Sequence, residues 1–395
     1  MKTHKNAQYS GISVVIPCLN EEQSIGQVVD AAFQGIRQTG LTGEVIVVDN
    51  DSSDNSAGIA RDHGATVIFE AEKGYGSALR KGFSEAKYDI IVMGDGDLTY
   101  DFSKLDILVN PVLEGKADFV VGNRMKDIRP GAMPKLHQYL GNPLLSFLLK
   151  AFFHTRAVHD AQCGMRAITK TAYENLYCVT TGMEFASEMI IHALRIGLKI
   201  EERNITYHPR VGESKLSSFK DGWRHLRFML LYSPSAALLV PGFFVWTVSM
   251  LIAFPLAFGH VIIYGHSIDI HCMILAGLMN IISIQFISAG LLAKAYAHLS
   301  GLRTDPVIAW LYKRFTFEKI MLATLPLILF GIIVTLKVII QWIAEDFGAP
   351  NEARLLFFAL LCLTNGAQIA TGGYLFSIMA LPRHIEPFPK EDKRR

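Results

Sequence analysis

From about residue 228 onward the chain carries four long apolar stretches, at roughly 231–258, 272–297, 320–343 and 355–381. Each matches the ~20 residues a helix needs to cross a bilayer, and in lipid such a stretch satisfies its backbone polar groups only by being helical. Residues 1 to about 225 read differently, with short apolar runs alternating with charged stretches. The expectation is a water-soluble domain at 1–225 followed by a transmembrane domain of four spans at 226–395, ending in a short basic tail.

The links between the stretches set the expected orientation. The first, GHVIIYGHSIDIH, has no Lys or Arg, and the third, AEDFGAPNEAR, is net acidic. The second carries Arg303, Lys313, Arg314 and Lys319, and the tail ends KEDKRR. Because cytosolic loops collect basic residues, the second link, both termini and the soluble domain are expected in the cytosol. No apolar core follows the opening MKTHKNAQYS, so no export signal is read there. Among polar residues in the spans, Lys294 is expected to snorkel, and Asn280, Gln285, Asn365 and Gln368 to hydrogen-bond between helices. Pro241, Pro255 and Pro326 are expected kinks. Four spans exceed what anchoring needs, and packing between copies into a homo-oligomer is the expectation for the surplus.

In the first half, ISVVIP (12–17), EVIVVD (44–49), ATVIFE (65–70), DIIVMG (89–94) and ADFVVG (117–122) alternate with helical stretches at about 21–38, 54–63, 76–86 and from Ser103. Continuous β-branched runs between helices predict a mostly parallel sheet covered on both faces, an α/β doubly wound class. Ligands of such sheets sit beyond the carboxyl ends of the strands, and here those ends are polar: Pro17 to Glu21, Asp49 to Asp54, Glu72 to Gly76, and Asp95 to Asp97. No GxGxxG follows the first strand and no GxxxxGK[ST] is present, which argues against dinucleotide and P-loop sites. A net charge of +2 does not suggest nucleic acid, and five cysteines without CxxC spacing argue against a disulfide framework or zinc. Two carboxylates around Gly96 can be held together by Mg²⁺ or Mn²⁺. On spacing alone an ordinary turn would account for them, and it is the three other polar strand ends that favour a cation.

The segments SVVIPCLNEEQSI, VVDNDSSDNS, EKGYGSALRKG, MGDGDLTYDF, VGNRM, DAQCGMRAI and RVGESKL, in that order, resemble glycosyltransferase family 2 enzymes of the dolichyl-phosphate mannose/glucose synthase type. The resemblance covers about residues 11–220. It implies a GT-A (Rossmann-like) domain, a nucleotide diphosphate sugar donor such as UDP-glucose or GDP-mannose, and a polyprenyl phosphate acceptor in the membrane lipid. It further implies nucleotide-sugar contacts at Pro17, Asn20, Glu21, Asp49, Asp51 and Lys73, metal ligation by Asp95 and Asp97, and a base at Asp160. Acceptor-phosphate contacts are implied at Arg124, Arg210, Ser214 and Lys215. Asn50 stands where many relatives carry a second aspartate, leaving open which side chain reaches the base. Asp160 has two other readings, as a partner of Arg166 or as a supporting carboxylate, because a phosphate monoester with a second pKa near 6 needs orientation more than deprotonation. Glu184 and Glu188, four apart, are candidates for sugar hydroxyls. The stretch from Met133 to Phe153 fits an interfacial helix, and Lys135 and His137 are weaker phosphate candidates. The implied reaction is one inverting displacement; the alternatives are a processive polysaccharide synthase, whose QxxRW is absent, and a non-catalytic nucleotide-binding scaffold or flippase.

Overall fold

The computed structural model describes residues 9–212, 218–259, 261–263, 266–268, 270–300, 305–347 and 353–381. The chain divides into two compact units, Met1–Tyr232 and Ser233–Arg395.

The first unit is built on a seven-stranded sheet. Its strands are β1 (Ile12–Cys18), β2 (Gly43–Asp49), β3 (Thr66–Phe69), β4 (Ile90–Met93), β5 (Phe119–Asn123), β6 (Arg166–Thr169) and β7 (Ile200–Asn204), in the order β3-β2-β1-β4-β6-β5-β7. Strands β1, β4 and β5 have almost no exposed residue, which is why their sequences are apolar without alternation. Every pairing is parallel except those of β6, which runs antiparallel to β4 and β5. The carboxyl ends of β1, β2, β4, β5 and β7 therefore share one edge with the amino end of β6. The register shows it: Cys18 faces Asp49, Met93 faces Arg166, and Asn123 faces Asn204.

Among the described residues eight α-helices accompany the sheet: α1 (Ile25–Thr39), α2 (Ser56–Asp62), α3 (Tyr75–Glu85), α4 (Asp106–Leu113), α5 (Asn142–Phe153), α6 (Lys170–Glu174), α7 (Phe185–Ile196) and α8 (Ser218–Tyr232). Helix α1 buries Ile25, Val28, Val29, Ala32 and Ile36 on one face, a helical spacing at which each large aliphatic side chain stabilises by roughly 1.5–3 kcal/mol. It ends at Gly40, whose φ of 74° lets its N–H reach Arg37 O. The expected start at Glu21 moves to Ile25, because Asn20 takes a left-handed φ of 51° and the chain turns before the helix begins. The expected boundary near 225 also moves. Helix α8 buries His225, Phe228 and Met229, and Ser187 Oγ on α7 lies 2.9 Å from His225 Nδ1, so α8 belongs to the first unit.

Among its described residues the second unit has four helices long and apolar enough to cross a membrane: Ser235–Phe258, Ile270–Leu299, Phe317–Ala344 and Ala353–Met379. The first consists of a π-helical turn and α9 (Val240–Phe258); the others are α10 (Ile270–Leu299), α12 (Phe317–Ala344) and α13 (Ala353–Met379), with the short α11 (Pro306–Arg314) after α10. Helices α12 and α13 come close because Gly331 has no side chain: a Cβ there would lie 2.7 Å from Ala359 O. Asn365 Nδ2 donates to Asn280 Oδ1 at 2.5 Å and Asn280 Nδ2 to Ser249 Oγ at 3.4 Å, tying α13, α10 and α9 together. Lys294 does not reach out alone; it pairs at 2.9 Å with Asp305, the residue that caps α11.

Candidate active site

Strand β4 delivers Asp95 and Asp97 to the shared edge. Asp97 Oδ1 accepts from the N–H of Thr99 at 3.1 Å and from its hydroxyl at 2.5 Å, an Asx-type turn that fixes the carboxylate and directs Oδ2 elsewhere. Leu98 between them has φ 63°, a strained value for leucine. The turn is held from outside by Val211 N–H on Asp97 O at 3.1 Å and His208 N–H on Thr99 O at 2.9 Å. Asp95 is held differently: the Tyr75 hydroxyl donates to its Oδ1 at 3.0 Å. Burial and the neighbouring Asp97 push the Asp95 carboxyl up to about 7, against the opposing pull of Tyr75, Arg124 and Arg210. Tyr75 stays a donor, because burial and then Asp95 raise its own pKa well above the usual range.

The antiparallel course of β6 explains why the DAQCG segment reaches this place. Gly164, two residues before β6, lies against Asp95: a Cβ there would meet Oδ2 at 2.9 Å and Oδ1 at 3.2 Å. Its N–H donates to the Tyr100 hydroxyl at 2.8 Å. Gly96 is the opposite case, since a Cβ there would make ordinary contacts at 3.4 Å with Ile16 and Ile25, in the core. The bare position that Asp95 needs is Gly164.

Arg210 stands between two carboxylates. Its Nη2 donates to Glu21 Oε1 at 2.6 Å, and its Nη1 lies 3.5 Å from Asp97 Oδ2. Among the described residues its buried Nε has no acceptor. Glu21 follows β1, and its N–H donates to Ser56 Oγ at 2.8 Å at the start of α2. Asn20 Oδ1 accepts from Ser53 N–H at 2.7 Å, so β1 and the loop after β2 are laced together. Pro17 is in β1 opposite Val48.

At the end of β2, Asp49 is buried and accepts from Ser52 N–H at 3.2 Å. Asn50 is a structural residue: its Nδ2 donates to Glu70 O and Glu72 O, both at 2.9 Å, and its Oδ1 accepts from Gly74 N–H at 2.7 Å. With both groups of its amide engaged, Asn50 holds the loop at 70–74 against the end of β2. Asp51 pairs with Lys73 at 2.9 Å on the surface. The KGYG segment is packed rather than loose, since Cβ atoms at Gly74 and Gly76 would fall within 2.1 and 2.5 Å of the carbonyls of Thr181 and Thr180.

Two of the expected site residues, Asp160 and Arg124, pair with each other. Asp160 is fully buried, and its oxygens accept from Arg124 Nε at 2.8 Å, Arg124 Nη2 at 2.9 Å and Arg124 N–H at 3.0 Å. Burial alone would raise its pKa, but the charge and hydrogen bonds of Arg124 outweigh this and hold it below the usual carboxylate range. A carboxylate so occupied is a poor base. The same pairing engages Nε and Nη2 of Arg124, which is itself buried, and leaves Nη1 a 3.5 Å contact with the Tyr100 hydroxyl. Asp160 does not pair with Arg166 either; that guanidinium donates to Cys163 O, Ala186 O and Ala161 O. Glu202 on β7 supports Asp160 from behind, accepting from its N–H at 2.9 Å.

Glu188 is likewise engaged within the protein. It is fully buried and accepts from Val179 N–H, Thr180 N–H and Thr180 Oγ1, so it clasps the loop before α7 rather than facing a sugar. Ser214 and Lys215 lie outside the described residues. The sequence reading missed Tyr75, Tyr100 and the part played by Gly164; only Thr99, two residues after Asp97, left a signal of its contact. Among the described residues no group of three or more His, Cys, Asp or Glu side chains is placed to hold a metal.

Comparison with known proteins identifies the family. The pattern of "Glycosyl transferase family 2" matches residues 13–177, and that of "Glycosyltransferase family 2 C-terminal transmembrane region" matches residues 291–380. The chain is 38% identical over 365 residues to the low-salt glycan biosynthesis hexosyltransferase Agl6 of Haloferax volcanii, covering 92% of this chain and 88% of that protein. It is 34% identical over 221 residues to a dolichyl-phosphate hexose transferase of the same organism, covering 54% of this chain and 90% of the relative. A crystal structure of glucosyl-3-phosphoglycerate synthase from Mycobacterium tuberculosis with Mn²⁺, UDP and glucosyl-3-phosphoglycerate is similar at TM-score 0.46 and 22% identity, covering 57% of this chain and 80% of that one. With its mixed α/β sheet, its paired aspartates and four span-length helices, the chain belongs to glycosyltransferase family 2 and is a membrane protein.

Proposed function

We propose that this glycosyltransferase moves a hexosyl group from a nucleotide diphosphate sugar, UDP-glucose or GDP-mannose, to polyprenyl phosphate at the cytosolic face of the membrane. One observation carries the reading: Asp95, Asp97, Glu21 and Arg210 converge at the carboxyl edge of the sheet, in a chain that also has four span-length helices. The dolichyl-phosphate hexose transferase of Haloferax volcanii supports the acceptor class.

The residues fit a divalent cation. Burial first and then the neighbouring Asp97 push the Asp95 carboxyl up to about 7, and Mg²⁺ characteristically takes one or two carboxylates and fills its other positions with water and substrate phosphate oxygens. When bound, such an ion screens the charge that builds on the departing diphosphate. Asp49, Asp51, Asn20 and Glu21 face the nucleoside side with acceptors suited to ribose hydroxyls and base donors. Arg210, with Ser214 and Lys215, meets the acceptor phosphate. A phosphate oxygen attacks the anomeric carbon, the bond from that carbon to the diphosphate oxygen breaks, and the configuration inverts. No base is required, since the phosphate is mostly dianionic at neutral pH. Asp160 acts by holding Arg124, and Glu202 by holding Asp160.

Helix α5 and the turn before it expose Leu136, Leu140, Leu144 and Phe147 at helical spacing, with Lys135 close by. This stripe rests on the leaflet and guides the prenyl chain. The basic second link and tail keep the termini on the same, cytosolic side.

The test uses full-length protein in nanodiscs with polyprenyl phosphate and a panel of radiolabelled UDP- and GDP-sugars. One donor should give a lipid-soluble product carrying a single sugar. Label in a polymer, or none in lipid with any donor, would refute the assignment.

A further inference from the structure

The segment that carries Arg210 is fixed by its backbone to the turn that carries Asp97. Val211 N–H bonds Asp97 O and His208 N–H bonds Thr99 O, on either side of Arg210. Only the side chain of Arg210 is left to move. Its guanidinium makes one strong contact, 2.6 Å to Glu21, and one loose contact, 3.5 Å to Asp97 Oδ2. Because Thr99 occupies Asp97 Oδ1 twice, Oδ2 is the oxygen that Asp97 can offer a cation. Arg210 Nη1 and a divalent ion on Asp97 therefore claim the same oxygen. Two positive charges a few ångströms apart repel, and the looser contact yields.

We propose that Arg210 is a gate: a cation taking Asp97 Oδ2 releases Nη1 from Asp97 and, with Glu21 retaining Nη2, turns the guanidinium towards the acceptor phosphate. The unpartnered Nε fits this, because the turned group then carries a further unused donor besides the released Nη1. Binding then has an order. The nucleotide sugar with its cation loads first, and the acceptor phosphate gains its arginine only afterwards. Before loading, the arginine neutralises the carboxylates that would otherwise repel the incoming diphosphate. The inference rests on the cation and acceptor sites of the proposed function and adds a coupling between them, which thermodynamics makes reciprocal.

The experiment measures Mn²⁺ binding to full-length protein in detergent, by the electron paramagnetic resonance signal of free Mn²⁺, for the parent, Arg210→Lys, Arg210→Gln and Asp97→Asn. A short-chain prenyl phosphate is then titrated with and without Mn²⁺ and UDP. Lysine keeps the charge but lacks the fork that spans Glu21 and Asp97. The gate predicts that both Arg210 variants bind Mn²⁺ about fivefold or more tightly than the parent. It also predicts that Mn²⁺ with UDP tightens prenyl phosphate binding to the parent but not to Arg210→Gln. If Mn²⁺ binds the parent and not Asp97→Asn, yet both Arg210 variants match the parent, the gate alone falls. If the parent binds Mn²⁺ no better than Asp97→Asn, the cation site falls and takes the gate with it.

Discussion

Two glycines flank the acidic pair in sequence or in space, and they are not equivalent. A methyl group at Gly96 would enter the core at van der Waals distance from Ile16 and Ile25, whereas one at Gly164 would press on both oxygens of Asp95. Gly96→Ala should keep transfer within about twofold of the parent, and Gly164→Ala should lose about tenfold or more while the protein remains folded, since a 1 Å misplacement can cost on the order of a hundredfold. Steady-state rates alongside melting temperatures check this; equal losses in the two variants would show that Gly164 does not position Asp95. Asp160 gives a second prediction at this scale. Removing one partner of a buried pair costs about 3–5 kcal/mol, so Asp160→Asn should lower the melting temperature sharply and leave the shape of the pH–rate profile unchanged in whatever protein folds. Loss of an acidic limb at unchanged stability would restore Asp160 as a base. Asp95 carries a pH dependence of its own. Its folded pKa of about 7 lies above the unfolded value near ~3.9, so the native state holds the extra proton and this group's contribution to stability falls as pH rises from about 4 to 7. A cation offsets that loss only when Asp95 is ionised. The melting-temperature gain from Mn²⁺ should therefore be larger at about pH 8 than at about pH 6, and Asp95→Asn should flatten the difference.

At the scale of elements, the strands that announced themselves were those with runs of β-branched residues, most of them buried. The runs of β1, β2, β3, β4 and β5 could be placed to within a residue or two. Strands β6 and β7 were not seen: RAIT is four residues long and opens on a buried arginine, and IEERN is charged and half-buried. Missing β6 had a consequence for the site. Only its antiparallel course brings Asp160 to Arg124 and Gly164 to Asp95, partners that lie 36 residues apart in the first case. Glu21 and Arg210 are 189 residues apart, and nothing in either motif names the other. What the motifs did convey was position along the chain relative to strand ends, and that sufficed to gather Asn20, Glu21, Asp49, Asp95 and Asp97 at one edge, but not Arg210. Glu188 shows how spacing misleads, because its place four residues after Glu184 suggests a shared polar face while its carboxylate closes the loop at 179–180. Glu188→Ala would remove the acceptor of the Val179 and Thr180 N–H groups and of the Thr180 hydroxyl, loosening the loop. Because that loop packs on Gly74 and Gly76, the variant should also raise the donor KM more than it lowers kcat, as measured with purified protein. An unchanged donor KM would separate the loop from the donor site.

The whole molecule consists of an α/β unit that carries the paired aspartates and Arg210, and a second unit with four span-length helices among its described residues. The claim on which the proposed function depends is that Asp95 and Asp97 hold a divalent ion against the donor diphosphate. The most direct test is the initial rate of sugar transfer to polyprenyl phosphate by full-length protein, after chelation and then across a Mn²⁺ titration, for the parent and Asp97→Asn. The account predicts that chelation lowers the parent rate by about a hundredfold or more, that Mn²⁺ restores it, and that Asp97→Asn stays low throughout. A parent rate undiminished by chelator, or an Asp97→Asn rate equal to the parent's, would contradict it.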